Sequence, residues 1–82
     1  MKITLSLFAG LADRLGTSRI TFNCSESPLT AGRLKQLLSE SYPEAAALIS
    51  ECLVAINQEY AASDCLIAET DEIALIPPVS GG

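Results

Sequence analysis

Chemistry in this chain is concentrated in its last seven residues, Ile76-Pro77-Pro78-Val79-Ser80-Gly81-Gly82. Two prolines stiffen the segment and hand over to residues with small side chains or none, which makes a narrow, extended probe. Glycine has no Cβ, so the backbone can enter a tight channel and bring its own carboxylate to another protein's catalytic groups. The reacting atom is then the Gly82 carboxyl carbon, with Gly81 keeping the approach clear. A carboxylate is a poor electrophile until it is adenylated. A sulfur nucleophile can then displace the nucleotide and leave a thiocarboxylate, so that sulfur is carried on the main chain.

Nothing else in the sequence competes with that end. There is no His, phosphate loop, catalytic triad or metal-ligand cluster, so the chain has no catalytic side chains of its own and no bound cofactor is expected. Without His, a Cys-His nucleophile is impossible. Cys24, Cys52 and Cys65 are odd in number and too scattered for a zinc site, a CxxC motif or a disulfide framework. Buried, reduced thiols in a cytoplasmic protein are the expectation.

The elements that must position the tail are legible from periodicity. Ile3, Leu5 and Leu7 alternate with polar residues as a half-buried strand does, unlike the continuous apolar run of a signal peptide. Phe8, Leu11 and Leu15 fall at helical spacing, with Gly16 placed for a left-handed cap. Ile20 and Phe22 restore alternation in a second strand that can pair antiparallel with the first. After a loop at 25–28, Thr30 can cap the main helix, whose buried side carries Leu34, Leu37 and Leu38. Pro43 breaks that helix and suits the first turn of another, lined by Leu48, Ile49 and Cys52. Residues 53–56 read as a strand with Val54 and Ile56 inward, and Asn57-Gln58-Glu59 as a turn. Residues 60–66 are weakly patterned, with room for a very short edge strand. Glu69-Thr70-Asp71 is a turn, and residues 72–76 form the last strand, which Pro77-Pro78 ends.

One α+β domain over residues 1–76, with a flexible tail over 77–82, accounts for all 82 residues. A helix on one face of a mixed sheet, with the near-continuously apolar last strand in the middle, is the β-grasp or ubiquitin-like arrangement. If Ile73 and Leu75 face the helix, Ala74 and Ile76 lie on a face that nothing in the sequence covers, which makes a partner patch beside the tail.

Charge narrows the partners. The net charge is −5, which speaks against nucleic acid, and no apolar stretch is long enough to cross a bilayer. All five cations (Lys2, Arg14, Arg19, Arg33, Lys35) precede residue 36, and eight of the ten acids follow it. Such a distribution suits either a solvated acidic surface that keeps a small protein soluble or steering towards a basic partner pocket.

Three blocks then resemble a known family: Phe8-Ala9-Gly10-Leu11, Asn57-Gln58-Glu59-Tyr60, and the most specific one, residues 71–82, Asp71-Glu72-Ile73-Ala74-Leu75-Ile76-Pro77-Pro78-Val79-Ser80-Gly81-Gly82. The chain resembles MoaD, the small sulfur-carrier subunits of molybdopterin synthase, over essentially its whole length. The resemblance implies that MoeB, a ubiquitin-activating-type enzyme, adenylates Gly82 with ATP and magnesium, and that a sulfurtransferase supplies the sulfur. It further implies that the large subunit MoaE takes the tail, in a heterotetramer of two small and two large subunits. There the thiocarboxylate donates sulfur to cyclic pyranopterin monophosphate in molybdenum cofactor biosynthesis. Ala74, Ile76, Pro77, Pro78, Val79 and Ser80 are the implied partner-binding residues. Two departures are visible: Leu11-Ala12-Asp13 stands where many relatives have Leu-Arg-Glu, and Thr70 where many have Gly or Asn. The alternatives are a carrier for thiamin thiazole or tRNA thiolation, a ubiquitin-like protein modifier, and a plain interaction domain. A plant-type ferredoxin fails because it needs four cysteines.

Overall fold

The computed structural model describes residues 1–78, and the chain alternates strand and helix as its periodicity dictates. Strand β1 (Lys2–Leu7) buries Ile3, Leu5 and Leu7 on one side. Helix α1 (Ala9–Leu15) follows and ends where Gly16, at φ 73°, takes the left-handed conformation that glycine adopts without a Cβ penalty. Strand β2 (Arg19–Asn23) returns antiparallel to β1, with Ser6 opposite Arg19 and Lys2 opposite Asn23. Strand β3 (Leu29–Thr30) leads into α2 (Ala31–Ser41), and the Thr30 hydroxyl accepts from the Arg33 amide at its N-terminus. A 3₁₀ turn at Pro43–Ala45 precedes α3 (Ala46–Glu51).

Four more strands follow among the described residues: β4 (Leu53–Ile56), β5 (Glu59–Ala61), β6 (Leu66–Ile67) and β7 (Ile73–Ile76). The main sheet has the order β2-β1-β7-β4-β5, with β7 parallel to β1 and antiparallel to β4. The last strand is therefore central, as its apolar run implies. Leu34 and Leu38 of α2, Leu11 of α1 and Ile49 of α3 cover one face of this sheet and meet Ile3, Leu5, Val54, Ile73 and Leu75 in a single core. This is the β-grasp arrangement. No buried side-chain N or O atom among the described residues lacks a hydrogen-bond partner, and no described helix is long and apolar enough to cross a membrane.

Several expectations are corrected. Phe8 is not on the buried stripe of α1: it is the residue before the helix, and its ring is exposed. Cys52 is buried but lies just past α3, where its amide donates to Ile49 O and its thiol to Leu48 O. Cys65 is only half-buried, because it follows the turn between β5 and β6 instead of sitting in an apolar stripe. The last strand begins at Ile73, since Glu72 gives its amide to the Asn57 side chain. Weak patterning at 60–66 hides parts of two strands, β5 on the sheet edge and β6 paired with β3 in a separate ribbon. A two-residue strand shows no period, so only the tertiary pairing of Leu29 with Ile67 reveals that ribbon. Thr70 is not in the left-handed region, so its departure from Gly or Asn needs no backbone compensation.

Candidate functional site

Strand β7 ends at Ile76, and half-buried Pro77 and exposed Pro78 follow it. Val79, Ser80, Gly81 and Gly82 lie outside the described residues. What the structure shows is the root of the tail and the surface around it.

That surface is the sheet face turned away from the helices. Ile73 and Leu75 point into the core, so Ala74 and Ile76 point outward and are half-buried, as expected. Register extends the patch sideways, because directly opposed residues share a face. Ile76 stands opposite Leu53, and Ala74 opposite Ala55, which in turn faces Tyr60. Phe8 joins them past the end of β1. Among the described residues, Phe8, Leu53 and Tyr60 are three of the four large apolar side chains left in the open, exposed by 49, 51 and 71%. Ser6, Phe8, Ala55, Tyr60, Ala74 and Ile76 line a recess of about 350 Å³. The outward residues of β1 and β2 are polar: Lys2, Thr4, Ser6, Arg19, Thr21 and Asn23. The outer face thus carries an apolar cluster beside the tail, with Gln58 and Glu72 lining the same recess, and polar residues on β1 and β2.

Sequence reading found Ala74 and Ile76 but missed Phe8, Leu53, Ala55 and Tyr60. The available signal was the apolar character of Leu53 and Ala55, at the positions alternating with the inward Val54. Burial alone misleads here, since Ala55 is buried on the outer face, beside Tyr60.

The far end of β7 is anchored by a polar clamp. Asn57 and Gln58 form a two-residue hairpin turn at φ 53° and 71°. The Asn57 amide donates to Glu72 O at 2.8 Å, its Oδ1 accepts from Glu72 N at 3.0 Å, and its Nδ2 donates to Asp71 Oδ1 at 3.0 Å. Asp71 Oδ2 accepts from Ala68 N at 2.8 Å. Hydrogen bonds from the Ala68 amide and then the Asn57 side chain lower the Asp71 pKa from its ordinary value. The clamp holds β7 against β4 and so fixes where the tail begins relative to the patch.

A larger groove of about 660 Å³ lies between α2 and β4, lined in part by Lys35, Ser39, Cys52 and Leu53. Its ammonium is taken up by Ser50 O at 3.0 Å and Cys52 O at 2.7 Å. Burial pushes the Cys52 thiol pKa up, which disfavours the nucleophilic thiolate. No cluster of metal-ligating side chains occurs among the described residues.

The sequence profile of the ThiS family matches residues 5–82, which includes the Gly-Gly end. The chain belongs to the ThiS family. Among relatives within this family's reach, a molybdopterin synthase sulfur carrier subunit from Dictyostelium discoideum is 37% identical over 93% of this chain and 91% of its own. The crystal structure of the small archaeal modifier protein 1 from Haloferax volcanii superposes with a TM-score of 0.80, at 28% identity over 95% of this chain and 98% of that one. Subunit 1 or 2 in a protein-protein complex of molybdopterin-converting factor from Helicobacter pylori matches over the whole of both chains, with a TM-score of 0.67. At 19% identity that last likeness speaks for the ubiquitin-like fold of this family member and not for its activity.

Proposed function

We propose that this ThiS-family chain is the sulfur-carrier subunit of a molybdopterin synthase. The observation that carries the reading is a family match that runs through Gly82, together with 37% identity to a relative described as that subunit. The fold supports it: a central strand, clamped at its far end, leads out of the sheet beside an apolar patch suited to a protein partner.

In this reading the described residues bind and aim, and the tail reacts. Phe8, Leu53, Tyr60, Ala74 and Ile76 dock on the partner, while Pro77, Pro78, Val79 and Ser80 hand Gly81 and Gly82 into its active site. The Gly82 carboxylate attacks the α-phosphorus of ATP held with magnesium by the activating enzyme MoeB, and pyrophosphate leaves. The terminal sulfur of a sulfurtransferase persulfide attacks the acyl carbon and displaces AMP, and a thiol then cleaves the acyl disulfide, forming a disulfide with the donor's sulfur and releasing the thiocarboxylate. In the large subunit MoaE the thiocarboxylate sulfur bonds to carbon of cyclic pyranopterin monophosphate, and water then replaces it on the Gly82 acyl carbon, so that the C–S bond to the carrier breaks and the carrier returns to the carboxylate form. Two carriers on a large-subunit dimer suit a dithiolene that needs two sulfurs. The work is cytoplasmic.

Tandem mass spectrometry of the C-terminal peptide, after incubation with activating enzyme, ATP and sulfur donor, tests the chemistry. An oxygen-to-sulfur exchange mapped to Gly82, and not to an oxidised Met1 or Cys, is the expected result. Deleting Gly82 or making Gly81→Leu should abolish sulfur transfer and leave the melting temperature unchanged. Normal transfer by either variant would sink the reading. One observation favours a second role, the likeness to a structure described as a small archaeal modifier protein at 28% identity. That role requires higher-mass conjugates joined through Gly82 to substrate amines.

A further inference from the structure

Most of this chain's cations are consumed within the molecule. Arg33 pairs with Glu26 at 2.7 Å, Arg14 Nη1 donates to Glu44 O at 3.0 Å, and Lys35 bonds two carbonyls at the end of α3. The side chains of Lys2 and Arg19 have no such bond among the described residues, and both point outward from the sheet face that carries the patch.

Arg19 is set apart by its place. Its backbone is fixed on both sides by Thr17, whose Oγ1 accepts from Arg19 N at 3.4 Å and donates to Arg19 O at 3.0 Å. Register puts it in one row across all five strands, Arg19–Ser6–Ala74–Ala55–Tyr60. Arg19 and Tyr60 therefore stand at the two ends of the row that crosses the middle of the patch.

The size of a protein interface decides whether Arg19 is inside it. A standard interface covers about 800 Å² on each partner, a disc of radius about 16 Å. A partner that receives the tail must sit over Ile76. With strands about 4.8 Å apart and about 3.3 Å per residue, Arg19 is about 12 Å from Ile76, two strands across and two residues along. Lys2 is about 20 Å away on the same scale, six residues along β1 from the level of Ile76. Arg19 falls within the footprint and Lys2 outside it. A guanidinium covered by a partner without an acceptor costs free energy, so a complementary surface places a carboxylate there.

We propose that Arg19 is a specificity-determining residue of the carrier face, meeting a carboxylate of the partner and fixing the orientation in which the carrier docks. The inference rests on the sulfur-carrier reading above, in which the partner is otherwise basic towards this acidic chain. That contrast sets the sign of the test. On net charge alone, Arg19→Glu should strengthen binding to a basic partner, whereas loss of a specific contact should weaken it.

The experiment measures the affinity of wild type, Arg19→Glu, Arg19→Gln and Lys2→Glu for the purified large subunit of molybdopterin synthase from the same organism. Melting curves accompany each variant. Arg19→Glu should raise Kd about tenfold or more and Arg19→Gln should raise it less, while Lys2→Glu leaves Kd unchanged or lowers it. Equal effects of Arg19→Glu and Lys2→Glu, or tighter binding by Arg19→Glu, would overturn the proposal and leave the sulfur-carrier reading standing. Failure of the wild-type chain to bind the large subunit would overturn both. Arg19 is exposed and its side chain makes no hydrogen bond among the described residues, but it shares a recess with Glu69, Asp71 and Glu72, so Arg19→Gln and Lys2→Glu should melt close to wild type while Arg19→Glu sets a further acid beside those three. Arg19→Gln, which adds no negative charge, keeps the test valid if Arg19→Glu melts early.

Discussion

Asp71 ties together the corner from which the last strand starts, and its ionisation is a measurable part of that tie. Its carboxylate accepts from Ala68 N and from Asn57 Nδ2, and these bonds hold its pKa below the unfolded carboxylate value of about 3.9. The contribution to stability is therefore complete above that value and lost as pH falls through the lowered one. Asp71→Asn should lower the urea midpoint at pH 7 and decline less steeply than wild type between pH 5 and pH 2. Parallel acid limbs for the two proteins would show that the carboxylate is not the group that matters. Glu26 shifts in the same direction through its hydrogen bonds and attraction to Arg33, so the acid decline should be reduced in Asp71→Asn and not removed. At this scale the Thr30 cap was readable because its partner, Arg33, is three residues away. The Asn57–Asp71 bond was not, because its partners are 14 residues apart and meet only when β4 and β7 pair.

Elements are joined by two local geometries that run against residue preference, and each yields a prediction. A glycine in a helix is ordinarily about 1 kcal/mol worse than alanine. Gly32, in the first turn of α2, is the exception, because its amide donates to Ser63 O at 2.9 Å and an added Cβ would lie 3.0 Å from Ser63 Cβ and 3.1 Å from Ser63 O. Backbone cannot move aside as a side-chain tip can, so overpacking outweighs propensity. Gly32→Ala should be destabilising by about 1 kcal/mol in a denaturant melt, and a stabilised variant would show that the 62–65 turn yields freely. Gln58 is the converse. It holds φ 71° in the hairpin between β4 and β5, where glycine is the preferred type. Gln58→Gly should stabilise the fold by about 1 kcal/mol, read as a higher melting temperature. Helix α2 and strands β1 and β7 were legible from their apolar periods. The edge strand β5 was legible only as a very short strand somewhere in 60–66, and β3 and β6 were not legible, because two or three residues display no period and owe their conformation to a neighbouring strand.

Over the whole molecule the net charge is −5, and all five cations precede residue 36 while eight of the ten acids follow it. Association with a basic partner should therefore be fast at low ionic strength and slow as salt screens the attraction. We expect the association rate to fall roughly tenfold between about 20 mM and 500 mM salt, measured by stopped flow. A flat profile would place the attraction in the apolar patch alone. By itself the sequence determined the strands and helices long enough to show a period, the central place of an apolar last strand, and the outward aim of Ala74 and Ile76. These are local properties, fixed by alternation, spacing and residue type. Tertiary structure alone decided that Phe8, Leu53, Ala55 and Tyr60 join Ala74 and Ile76 on the outer face, that Arg19 shares a row with Ala55 and Tyr60, and that Asn57 clamps Asp71. Each of these depends on which strand lies beside which and in what register, and register is set by the burial of one whole face of the sheet against the helices.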